Sequence, residues 1–198
     1  MFDDKAQLHT LEGVGAATIM LLVIIYAIDA TSLTPQTSST SSVHIENELQ
    51  YLGQDILNTL DYAEPGYSSN LKNDVLNWDG SAYIWSGAAY LKKADNTQSL
   101  NNNITKILNA TMVRRGIAHN VELTYLDNST SVTKNMIYNG DPSNNAVIVS
   151  RKIVLQNVGS NGDDKEGNNR NSTNPIMDMD RSTNLYNIVQ IRLILWRM

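Results

Sequence analysis

The sequence predicts an α+β chain: an N-terminal hydrophobic transmembrane helix, followed by a head in which helices pack on an antiparallel β-sheet. Three observations carry this reading. An uncharged apolar stretch near the start has, with its flanks, the length of a membrane span. Beyond it the apolar residues first recur at spacings of three and four, the period of a helix. After Gly116 the period drops to two, the period of a strand. At 198 residues the chain is about one domain long, enough to bury roughly two thirds of its unfolded surface without staples.

The apolar stretch is Gly13 to Ile28, GVGAATIMLLVIIYAI, with no charged residue. Alone it makes about 24 Å of helix; extended over 8–31 it makes about 36 Å, against a hydrocarbon core of about 30 Å. It is apolar all round, unlike a helix docked on a soluble core. The leader, MFDDKAQLHTLE, is acidic and lacks the positive start of a secretory signal, although the small residues Ala27, Ala30 and Ser32 leave a cut there open. Lys5 precedes the helix and no Lys or Arg follows until Lys72, so the charge rule places the N-terminus in the cytoplasm and the head outside the cell. The expected organisation is a leader over 1–7, a membrane helix over 8–31, a Ser/Thr-rich linker over 32–42 and an extracytoplasmic α+β head over 43–198.

Within the head, Ile45, Leu49, Leu52, Ile56, Leu57 and Leu60 mark one face of a helix from His44 to Leu60, which Pro65-Gly66 ends. Leu71, Val75 and Trp78 suit a short helix before the turn Asn77-Trp78-Asp79-Gly80-Ser81, and Ala82 to Leu91 reads as a helix or a strand pair. A second amphipathic helix is expected over Gln98–Arg115, with Gly116 in the stop position. Strands follow at His119–Leu126, Ser131–Tyr138 and Asn145–Gln156. A long Gly/Asn/Asp loop spans Asn157–Thr183, and a closing strand, Tyr186–Trp196, makes a sheet of three to five strands.

Chemistry-bearing motifs are scarce. With 15 basic against 20 acidic residues the chain lacks the basic stripe that sequence-independent nucleic-acid binding requires. The absence of cysteine removes disulfides and thiolate metal sites. His9, His44 and His119 share no local metal-ligand spacing, and the acidic loop residues Asp163, Asp164, Glu166, Asp178 and Asp180 do not match a calcium loop. No nucleophile elbow, phosphate cradle or carboxylate pair stands out. The expectation is therefore no enzyme, no cofactor and no metal. Four sequons, at Asn103, Asn109, Asn128 and Asn171, are candidates for N-glycosylation of an exterior head.

The opening DKAQLHTLEGV, the NWDG turn and the closing YNIVQIRLILWR carry a resemblance. The leader resembles the class III signal of archaeal type IV pilin-like proteins, and the three motifs together resemble an uncharacterised membrane-anchored group of methanogenic and halophilic archaea. The resemblance implies a pilin-like fold, a leader peptidase that cuts between Ala6 and Gln7, and a Glu12 that pairs with a neighbouring subunit's new amino terminus. Gly13 and Ala17 add a small-xxx-small pair where two helices can approach closely. The expected role is a minor pilin, pseudopilin or surface component in the cell membrane, with lipid, copies of itself or other pilin-like subunits as partners. The alternative is a monomeric membrane-tethered binding module.

Overall fold

The computed structural model describes residues 4–32, 40–157, 173–180 and 182–197, with the backbone alone for 4–10, 27–32 and 40–42. The chain divides into two units, Met1–Val43 and His44–Met198. In the first, α1 runs Asp4–Ser32. Its described side chains, Leu11 to Tyr26, are mostly apolar and exposed on every face. Between Glu12 and Asp29 the uncharged run, Gly13 to Ile28, makes about 24 Å of helix, short of a hydrocarbon core of about 30 Å.

Among the described residues, no helix is long and apolar enough to cross a membrane. This overturns the transmembrane helix expected over 8–31. With it go the single-pass topology, the lipid partner, the cytoplasmic N-terminus and the extracellular placement of the head. The linker expected over 32–42 falls for the most part outside the described residues.

The helical period materialises as α2 (Thr40–Asp61), most of which belongs to the second unit and whose Leu49, Ile56, Leu57 and Leu60 are buried. Gly53 lies on the same side, and a side chain there would begin 2.6 Å from a γ-methyl of Val149 and 3.0 Å from Leu195 Cδ1. The missing Cβ is what lets α2 lie close to the sheet. A short α3 (Asn70–Leu76) follows, its Ser69 hydroxyl accepting from the Lys72 amide as an N-cap.

The NWDG segment then turns the chain. Trp78 is buried with its indole N–H donating to Ser81 O at 2.8 Å, and the Asp79 carboxylate accepts from the Ser81 amide at 3.0 Å. Gly80 takes φ +82 with Pro175 packed where a Cβ would stand, a conformation that favours glycine.

The segment that read as helix or strand pair is a hairpin, β1 (Tyr83–Trp85) and β2 (Tyr90–Lys92). The helix expected over Gln98–Arg115 is shorter. Ser99–Leu100 form β3, paired with β2, and α4 begins only at Asn103 and ends at Thr111, before a 3-10 turn at Val113–Arg115. Gly116 then takes φ +66 in the stop position. The remaining strands are β4 (Ile117–Asp127), β5 (Thr130–Ile137), β6 (Val147–Gln156) and β7 (Leu185–Arg197).

The strands make one open seven-stranded sheet, ordered β3-β2-β1-β5-β4-β7-β6. It is mixed where an antiparallel sheet of three to five strands was expected. β1 runs parallel to β5 at Tyr83↔Ile137, clamped by the Tyr138 amide on Tyr83 O at 2.8 Å and by the Trp85 amide on Asn139 Oδ1 at 2.8 Å. A parallel neighbour needs a long crossover, supplied here by the segment holding α4 and β4. Val189, Ile191, Leu193 and Leu195 of β7 alternate into one core with α2, α3 and α4, so the helices cover a single face of the sheet.

The loop expected over Asn157–Thr183 is partly structured. The Asn174 amide donates to Val75 O and Leu76 O, Ile176 is buried, and the Tyr186 hydroxyl donates to Ile176 O. Its acidic stretch from Asp163 to Glu166 lies outside the described residues.

Candidate functional site

The residues singled out from sequence do not converge. Ala6, Gln7, Glu12, Gly13 and Ala17 all lie on α1, where a Cβ added at Gly13 would meet no atom within 4 Å. Of the sequons, Asn103 and Asn109 lie on α4, Asn128 is exposed at the β4–β5 turn with φ +47, and Asn171 lies outside the described residues. The Asn103 amide is engaged, donating to Asp74 Oδ1 at 3.1 Å.

Among the described residues no three His, Asp or Glu side chains gather to hold a metal. Asp178 and Asp180 are consumed by local turns: Asp178 accepts from the Asp180 amide at 2.9 Å, and Asp180 from the Ser182 amide at 3.0 Å. Hydrogen bonds to Ser182 and Thr183 hold the Asp180 carboxyl below the usual carboxylate range.

What the fold assembles instead is a cleft of about 250 Å³ between the β1–β3 ribbon and α4. Its floor follows from strand register. Trp85 pairs with Tyr90, and Tyr90 with Leu100, so the three side chains form one row across the ribbon. The Trp85 and Tyr90 rings sit 5.0 Å apart at 58°, a tilted arrangement that aromatic pairs favour. Trp85 is half-buried, whereas Trp78 and Trp196 are buried.

Lys106 and Asn109 stand three residues apart on one face of α4 and form the wall, with Ser99 and Asn101 at the mouth. Lys106 is the one charged residue of the lining. It makes no salt bridge among the described residues.

Two buried devices hold floor and wall in place. Beneath the floor the Tyr90 hydroxyl meets His119 Nε2 at 2.7 Å, while His119 Nδ1 faces Ile117 O at 3.2 Å. A carbonyl only accepts, so Nδ1 carries the proton and Nε2 takes the Tyr90 hydrogen. Burial pushes the His119 pKa down, which keeps the ring neutral, and burial pushes the Tyr90 phenol up.

Behind the wall Asn102 caps α4: its side chain accepts from the Thr105 amide at 2.9 Å, and Thr105 Oγ1 accepts from the Asn102 amide at 3.0 Å, a reciprocal box. Asp74, from α3, adds a carboxylate that accepts from the Ile104 amide at 2.7 Å. Burial raises its pKa, partly offset by those amide bonds.

Residues 5–195 match the family of unknown function DUF7288. The chain belongs to that family. A relative described as an uncharacterized protein of Archaeoglobus fulgidus is 28% identical over 197 residues, covering 98% of this chain and 94% of the relative. No solved structure matches the chain. This DUF7288 chain therefore has an archaeal relative but not the pilin-like identity that its opening suggested. That identity required a membrane helix, and none is found among the described residues.

Sequence reasoning passed over the cleft entirely. Two local signals pointed to it: a tryptophan in a Gly- and Ser-rich hairpin, and a lysine in the first turns of a helix, where the dipole disfavours a cation.

Proposed function

We propose that the His44–Met198 unit is a non-catalytic binding domain that takes a small hydroxyl-rich ring, a saccharide, in the Trp85 cleft. The observation that carries this reading is the pairing of a half-buried indole with a rim of amides and hydroxyls in a pocket of about 250 Å³. A sugar offers an apolar C–H face for the ring and hydroxyls for Asn101, Asn109 and Ser99. The lining holds no carboxylate or histidine to move a proton, and its tyrosine hydroxyl is engaged with His119, which favours binding over catalysis.

The test is tryptophan fluorescence of the full chain during titration with a panel of neutral hexoses and hexuronates. A saturable change is expected, because Trp85 is the tryptophan a cleft ligand can touch, and Trp85→Phe should abolish it. If no member of the panel binds, or if the response persists in the phenylalanine variant, the cleft is not the site.

A further inference from the structure

The ring expected in the cleft leaves one wall residue without a role, the ammonium of Lys106. The chain as a whole is acidic, with a formal net charge of -5, yet the lining of this cleft carries one cation and no carboxylate. Lys106 makes no salt bridge among the described residues. It also sits in the first turns of α4, where the backbone amides already present partial positive charge.

The carboxylate at that helix start, Asp74, is buried behind it and spent on the Ile104 amide and the Asn103 side chain. Lys106 acts on it only as a nearby charge, with no ion pair between the two. The cation is thus left facing the cleft, one helical turn from the Asn109 amide on the same face.

We infer that the ligand of this cleft is an acidic saccharide, a uronate whose ring lies on Trp85 and whose carboxylate is bound by Lys106. The inference rests on the saccharide reading above and specifies its charge. A carboxylate on a pyranose ring stands at the ring edge, so one residue can present its C–H face to the indole and its anion to the helix wall. The ammonium gives a charge-assisted hydrogen bond, and the Asn101 and Asn109 amides serve the ring hydroxyls. No covalent step is involved.

The decisive measurement is calorimetric titration of the full chain with glucuronate, its methyl glycoside, glucose and acetate, at low and high salt. Glucuronate should bind about tenfold more tightly than glucose, the scale of a charged over a neutral hydrogen bond, with the advantage shrinking as salt rises. Lys106→Met should erase that preference, and Lys106→Arg should restore most of it. Lys106 is exposed, so neither variant threatens the fold.

Binding of the methyl glycoside as tightly as free glucuronate supports the inference for a uronate within a glycan, and tighter binding of the free acid supports it for the monosaccharide. Equal affinity for glucose and glucuronate overturns the acidic ligand and leaves the saccharide cleft standing. Acetate binding as tightly as glucuronate, or no binding by any sugar, overturns both.

Discussion

Replacing Gly53 with alanine should destabilise the His44–Met198 unit, although alanine is the better helix former. Two effects compete at this mid-helix position. Removing the backbone freedom of glycine stabilises a helix by about 0.5–1 kcal/mol. Against this, the new methyl would begin 2.6 Å from Val149 Cγ2 and 3.0 Å from Leu195 Cδ1, where carbon atoms prefer about 3.5–4.0 Å. Val149 cannot swing away easily: it is β-branched, stiff at χ1 and buried on β6.

The helix must then move out by several tenths of an ångström, and overpacking of this kind costs about 1–3 kcal/mol. The net expectation is a loss of about 1 kcal/mol. Urea denaturation of the full chain, followed by circular dichroism, should show the midpoint falling by about 0.5 M with the slope unchanged. The cause is separable. Val149→Ala makes room for the methyl, so the double variant should be more stable than the sum of the two single losses predicts. A Gly53→Ala protein as stable as wild type or more so, with additive behaviour in the cycle, would refute the close approach of α2 to the sheet.

Three further expectations follow from buried polar groups and the NWDG turn. Asp74→Asn turns one acceptor into a donor facing the start of α4 and should cost about 1–3 kcal/mol in urea unfolding. Because burial raises the Asp74 pKa, its contribution is fully present below the unfolded value and is lost as pH rises through the folded one. Wild-type stability should therefore fall relative to that of the asparagine variant as pH rises above about 4, the unfolded carboxyl value. His119 has the opposite sign: burial depresses its pKa, so its contribution is present above about pH 6.5 and lost as pH falls through the folded-state value. The paired change His119→Leu with Tyr90→Phe removes both hydrogen-bonding partners and should reduce acid lability in melts on either side of that pH, whereas an unaltered pH profile would show the histidine to be uncoupled from folding. Gly80→Ala should cost about 1–2 kcal/mol, since φ is +82 and Pro175 occupies the Cβ direction. Limited proteolysis should then cut faster within 173–180.

The sequence by itself determined the elements whose cause is local. The period of three and four from Ile45 to Leu60 became α2, the alternation at Val121, Leu123 and Tyr125 became the core face of β4, and Gly116 stopped its helix where a left-handed residue was needed. Apolarity from Gly13 to Ile28 was equally legible, but apolarity is not span, and the membrane anchor read from it did not survive.

Tertiary structure decided everything that depends on which segments meet. Ser99 and Leu100 continue a helical pattern in sequence, yet pairing with β2 draws them into a strand, and α4 starts later at the Asn102 cap. The parallel contact of β1 with β5 joins segments some fifty residues apart, beyond the reach of any local period. Asn174, Pro175 and Ile176 belong to a polar stretch that reads as loop, and they are held because Val75, Gly80 and Tyr186 receive them in turn.

The cleft has the same origin. Trp85 and Tyr90 come from a hairpin, Leu100 from a third strand and Lys106 from a helix. Nothing in their spacing along the chain marks them as neighbours. Strand register lays the aromatic row, and the packing of α4 sets a cation and an amide beside it, because burial and hydrogen-bond pairing select among contacts that sequence period leaves equally open.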